Sequence, residues 1–159
     1  MVSAGKILGN YLLIRKLAQG GMGEIFLACD KDLEVPDKLV VLKILRSQLA
    51  EDQSFVEMLT DEANVVRKLS HKNIVSFHDF GQSDSTYFIA LEYIHGGSLE
   101  HLIDVHKRQS QKLDLAISMY IICELCAALA YAHSSRDEQG TSLKLVHRDV
   151  TPSNLLLSK

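Results

Sequence analysis

The sequence predicts an α+β protein in two parts: a five-stranded antiparallel sheet with one helix, then a mainly helical body. Three observations lead there. Short β-branched and aromatic runs recur between turn signals up to Glu92. One stripe of apolar residues at helical spacing interrupts them, from Phe55 to Leu69. Finally, the run Leu113 to Ser134 is apolar nearly all round, as suits the centre of a second, helical body.

Taken in order, residues 1–10 are a lead-in. Tyr11 to Leu17 reads as a strand, Ala18 to Gly23 as a turn-forming break, and Glu24 to Cys29 as a second strand. A dinucleotide-binding glycine loop would open a helix, and a phosphate loop would need Lys-Ser/Thr after its glycines. Here Gly23 is followed by Glu24 and a strand. Glycines lack the Cβ that keeps backbone away from a phosphate, but a flexible hairpin turn explains them equally well.

Asp30 to Asp37 is a polar turn carrying Pro36, and Lys38 to Leu45 is a strong strand. Lys43 interrupts its apolar run on the face of Val41 and Leu45. Alone, it reads as a strand-edge lysine with its ammonium in water. The next segment changes that. Phe55, Met58, Leu59, Val65, Val66 and Leu69 form a helical stripe, and Glu62 falls on it. A carboxylate on a buried face is costly unless paired. Lys43 and Glu62 thus explain each other as a partly buried ion pair; the alternative leaves Glu62 at the rim, facing water.

Ser70 to Asn73 ends that helix, with His71 as a turn or packing residue. Ile74 to Gly81 and Thr86 to Glu92 complete the strands. Residues 93–97 form a flexible connector with Gly96 and Gly97. Ser98 is the expected N-cap of a helix reaching about Lys107. A charged turn follows the long apolar helix, and Leu155 to Leu157 is a last short strand. Before it stands a polar cluster, His147-Arg148-Asp149-Val150-Thr151-Pro152-Ser153-Asn154, rich in groups that carry protons and bind metals.

Composition sets the bounds. The 159 residues are 47% hydrophobic and 23% charged, with a net charge of −3, ordinary values for a soluble protein. The slight acidity argues against nucleic acid as a partner. The cysteines, Cys29, Cys123 and Cys126, form no disulfide framework, and the C-x-x-C pair lies inside the apolar helix, where buried packing is the expected role. No signal-peptide pattern opens the chain. Ser118 and Glu124 interrupt the apolar helix, which favours a buried helix over a membrane segment. The expected location is cytoplasmic.

Four segments in this order make residues 11–159 resemble the first half of a protein kinase domain of the bacterial serine/threonine type. Leu17-Ala18-Gln19-Gly20-Gly21-Met22-Gly23-Glu24-Ile25 stands for the glycine loop, with Ala18 in place of its first glycine. Val41-Leu42-Lys43 stands for the strand whose lysine grips the α- and β-phosphates, and Glu62 for the glutamate that holds it. Residues 147–154 match H-R-D-x-x-x-x-N.

The resemblance implies a kinase-like fold: an N-lobe over 11–92, a hinge at 93–97 and part of a helical C-lobe over 98–159. It implies MgATP as cofactor and a protein substrate bearing Ser or Thr. Leu91 would gate the adenine pocket, the backbone of Glu92 and Ile94 would bond the adenine edge, and Ile25 and Val41 would cover its face. Ser98 stands where many relatives place an acid against the ribose. Asp149 would orient the substrate hydroxyl and accept its proton, Asn154 would bind Mg²⁺, His147 would pack, and Arg148 would meet an activation-loop phosphate.

Two departures stand out. Thr151 replaces the lysine usually found two residues after the aspartate. The D-F-G segment, with its metal-binding aspartate, the activation loop and the A-P-E segment are not among these residues. These residues alone are therefore expected to transfer little or no phosphate, and the long helix to expose apolar surface that a partner could cover. An ATP-binding interaction module without phosphotransfer is the alternative, and a dinucleotide enzyme is disfavoured because the glycine loop feeds a strand.

Overall fold

The computed structural model describes residues 3–20, 23–31, 39–45, 49, 52–137 and 139–159. Gly21, Met22 and the turn around Pro36 through Lys38 lie outside the described residues. The chain forms two compact units: Met1–Lys68 with Ser76–Tyr93, and Leu69–Val75 with Ile94–Lys159.

The first unit is an antiparallel sheet with one helix. Its strands are β1 (Ile7–Leu8), β2 (Tyr11–Gln19), β3 (Gly23–Asp30), β4 (Leu39–Leu45), β5 (Phe77–Ser83) and β6 (Thr86–Glu92), ordered β1-β2-β3-β4-β6-β5. Helix α1 spans Gln53–Arg67 between β4 and β5. The sheet has six strands where five were expected, because Ile7 and Leu8 of the lead-in pair with Leu12 and Tyr11. The strand expected from Ile74 begins at Phe77.

Alternation divides the sheet into two faces. Phe26, Ala28, Val40, Leu42, Ile44, Phe88 and Ala90 are buried on one, together with Leu8, Tyr11 and Leu13. Tyr11 meets Phe88 edge-on, with ring centroids 5.7 Å apart. The other face receives α1: Val56, Leu59 and Ala63 pack with Leu45 and Ile89. Asp52 caps the helix, its Oδ1 accepting the Ser54 N–H at 2.9 Å. The stripe expected on α1 is rotated: Met58 is 48% exposed and Val65 is also exposed. The small Ala63 gives little hydrophobic signal, yet it lets helix and sheet approach.

In the second unit, α2 (Leu99–Arg108) starts at the expected cap, Ser98, whose Oγ accepts the His101 N–H at 3.2 Å. The connector is partly regular: β7 (Gly96–Ser98) pairs with β8 (Leu156–Ser158). A Cβ on Gly96 would stand 1.7 Å from the Leu157 carbonyl oxygen, so this pairing requires glycine.

Helix α3 (Leu115–Ser134) is capped by Asp114, whose Oδ1 accepts from the N–H groups of Ala116 and Ile117. It is not a buried centre. Within these residues only Ala128 on it is buried, while Leu115, Ile117, Met119, Tyr120 and Ile122 are exposed. Cys123 and Cys126 are exposed too, against the expectation of core packing. An all-round apolar sequence indicates that a helix can be covered on every side; it does not supply the cover. By length and composition α3 could also cross a membrane. Its flank, however, binds a polar segment: Tyr131 stacks on His71 and its hydroxyl accepts the Ser70 N–H at 3.1 Å. Asn73 Nδ2 donates to Glu124 Oε2 at 2.6 Å, and Lys72 pairs with the same oxygen at 2.8 Å.

Candidate functional site

The candidate residues fall into two groups, one in each unit. In the first, opposed residues of antiparallel strands present side chains on the same side. Ile25, Lys43 and Ile89 therefore form one cross-strand row, and Leu27, Val41 and Leu91 the next. Both rows lie on the α1 face. Ile25, Val41 and Leu91 are half-buried there, and Leu91 packs against the α1 cluster.

Lys43 sits in the middle of that surface because Leu42 and Ile44 are committed to the opposite face. Its Nζ lies 2.7 Å from Glu62 Oε1 and 2.5 Å from Oε2. The side chains keep 31% and 40% of their exposure, so the pair sits at the border of the buried α1 face. Such a pair adds little to stability. Its geometric effect is larger: the ammonium is held by both carboxylate oxygens while remaining reachable from solvent.

The glycine hairpin is mostly strand. Leu17, Ala18 and Gln19 belong to β2, while Gly23, Glu24 and Ile25 open β3. The Gly20 N–H donates to the Gly23 carbonyl at 2.9 Å. Ala18 pairs with Ile25 and so puts its methyl on the Lys43 face. A Cβ on Gly23 would stand 2.6 Å from the Ile44 carbonyl oxygen, so β4 alone accounts for glycine at that position. Glu24 pairs with Ile44 on the opposite face and binds Lys16 there.

The Glu92 N–H donates to the Ser76 carbonyl at 2.9 Å, and its carboxylate accepts the Ser76 N–H at 3.1 Å. Ile94 belongs to the second unit.

In that second unit, Asn154 donates both to the Asp149 carbonyl at 2.9 Å and to Asp149 Oδ2 at 2.7 Å. The short 3₁₀ turn Pro152–Asn154 brings the amide back to the aspartate. An amide oxygen against that carboxylate would be repelled, which fixes the nitrogen there and turns Oδ1 away. Arg148 precedes the aspartate with φ +63°, an uncommon conformation for a side-chain-bearing residue. Thr151 Oγ1 lies 2.8 Å from Ser153 Oγ. His147 is exposed instead of packed, and its Nδ1 accepts the Asp149 N–H at 3.3 Å.

Two polar clusters escaped the sequence reading. Glu124 registered only as an interruption of an apolar run; its carboxyl is held below the usual range, first by Lys72 and then by Asn73. Lys72 is raised in turn by Glu124. The second cluster, Lys16 with Gln19 and Glu24, depends on a strand irregularity that spacing does not reveal.

With this geometry in place, similarity to known proteins is informative. Residues 11–159 match the model of the protein kinase domain. The chain is 37% identical over 150 residues to tyrosine-protein kinase MasK of Myxococcus xanthus, covering 94% of this chain and 23% of that protein. It is 35% identical over 158 residues to serine/threonine-protein kinase PknJ of Mycobacterium tuberculosis, covering 99% of this chain and 24% of PknJ. To PrkC of Bacillus subtilis, a serine/threonine-protein kinase, it is 34% identical, covering 99% of this chain and 22% of PrkC. The solved PknI kinase domain of M. tuberculosis superposes with a TM-score of 0.74 at 29% identity, over 99% of this chain and 58% of that one. The chain thus spans about a quarter of the length of these curated relatives.

Proposed function

The chain belongs to the protein kinase domain family, and from that premise we propose that it supplies the phosphate grip and the hydroxyl-orienting loop of a MgATP-dependent serine/threonine protein kinase. The observation that carries this reading is the Lys43 ammonium held by both oxygens of Glu62, beside the half-buried Ile25, Val41 and Leu91. A flat, partly apolar surface next to a fixed cation suits a purine ring followed by phosphates.

Ile25 and Val41 would cover the adenine face, with Leu91 behind it. The backbone of Leu17 to Gly20 and of Gly23 to Ile25 would lie over the phosphates, and Lys43 would hold their α and β oxygens. The Glu92 carbonyl would bond the adenine edge. Asp149 would orient the substrate hydroxyl and take its proton as the oxygen attacks the γ-phosphorus and ADP leaves. The donors fit Mg²⁺: Asn154 offers a hard amide oxygen, Oδ1, and Mg²⁺ bound there with phosphate oxygens would neutralise developing charge.

Serine and threonine specificity follows PknJ and PrkC; MasK bears a tyrosine-kinase name. Use of ATP and three free thiols suit the cytoplasm. A second reading, nucleotide binding without transfer, is favoured by Thr151, whose hydroxyl cannot supply the usual cation. The test is transfer of labelled γ-phosphate to a serine- or threonine-bearing protein by the protein that carries these residues. Transfer lost in Asp149→Asn supports the kinase reading; MgATP binding without transfer supports the second.

A further inference from the structure

The Lys16 side chain reaches across the base of the glycine hairpin. Its ammonium donates to Gln19 Oε1 and Glu24 Oε1, and Gln19 and Glu24 are themselves cross-strand partners. In a regular strand, residues 16 and 19 would face opposite sides. Here the register shifts between Lys16 and Ala18, so that Lys16 opposes Phe26, Ala18 opposes Ile25 and Leu17 is the extra residue. This bulge brings Lys16 and Gln19 to one face, that of Glu24 and Phe26. Glu24 is 17% exposed in its side chain, so its charge is partly removed from water and a cation beside it is favoured. Next along the hairpin come Gly20 and Gly23, joined by one backbone bond.

From this geometry we propose that Lys16 is a positioning residue. It latches β2 to β3 at the foot of the glycine turn and thereby sets the affinity of the hairpin for nucleotide. The proposal rests on the nucleotide-binding reading above. The latch lies on the sheet face opposite Lys43, so it acts through the hairpin backbone and not by touching phosphate. Holding the hairpin before nucleotide arrives lowers the ordering cost of binding. The bulge has the matching consequence that Ala18 is turned onto the Lys43 face while Lys16 is turned away from it.

Two measurements on the whole protein test this. Hydrogen–deuterium exchange over residues 17–20 and 23–25, without nucleotide, should be about two- to fivefold faster in Lys16→Met and unchanged in Lys16→Arg. MgATP affinity, by titration calorimetry, should fall about two- to fivefold in Lys16→Met. The exchanged pair Lys16→Glu with Glu24→Lys should recover both. Exchange or affinity unchanged in Lys16→Met overturns the latch, as does failure of the exchanged pair to recover while the melting temperature stays at the wild-type value. If the wild type itself binds no MgATP, the nucleotide-binding reading falls and the effect on affinity with it; the exchange data alone then decide whether Lys16 orders the hairpin.

Discussion

Lys43 Nζ contacts both carboxylate oxygens of Glu62, at 2.7 and 2.5 Å, from the centre of a strand whose neighbouring residues are buried on the other face. The pair is half-exposed, so its stability and functional roles should separate. Glu62→Gln is expected to cost about 1 kcal/mol of stability or less. Under the proposed kinase function it should lower phosphate transfer about 100-fold, because the ammonium loses its fixed position. Urea unfolding and a transfer assay on the same variant make the comparison.

Gly20 and Gly23 of the hairpin should respond differently. Gly23→Ala pushes a methyl to 2.6 Å from the Ile44 carbonyl and should destabilise the fold by about 1–3 kcal/mol. For Gly20→Ala, the nearest described heavy atom is the Gly23 oxygen at 4.0 Å, and Gly20 has no positive φ. Its unfolding midpoint should stay close to wild type. Equal losses at both positions would contradict the assignment of Gly23 to β3–β4 packing.

Asn154 tethers Asp149 through a 2.7 Å bond to Oδ2 and a 2.9 Å bond to the backbone carbonyl. Asn154→Ala removes the tether together with the oxygen proposed above to hold Mg²⁺, and should reduce transfer about 100-fold or more. Both groups are exposed, so thermal unfolding should change little.

The Lys72–Glu124 contact gives the second unit a pH signature. Glu124 is depressed in the folded chain, so its contribution is present above its unfolded value and is lost as pH falls through the lower folded value. Lys72 is raised, so its contribution is present below its unfolded value and is lost as pH rises through the higher folded value. Glu124→Gln should therefore flatten the acid limb of the stability profile and lower the titration of Lys72. Melting temperature against pH, with NMR of the lysine side chain, reads both; an unchanged acid limb would count against the contact.

Much of this was legible because alternation and turn residues are local signals. Thr86–Glu92 is bounded as expected, and Lys43 with Glu62 could be matched from two misplaced charges. What stayed hidden depends on partners distant in sequence. Gly96 and Gly97 resemble a loop until Leu157 and Ser158 pair with them. The bulge at Leu17 changes which residues share a face without leaving a mark in composition. The exposure of Cys123, Cys126 and Ile122 reflects what covers α3, which its own sequence does not encode.

Calorimetric titration of MgATP into wild type and Lys43→Met, both verified as folded, tests the central claim most directly. The grip formed by Lys43 and Glu62 predicts saturable binding by the wild type and an affinity lower by about tenfold or more in the variant. Equal affinities would contradict the assignment of Lys43 to the phosphates.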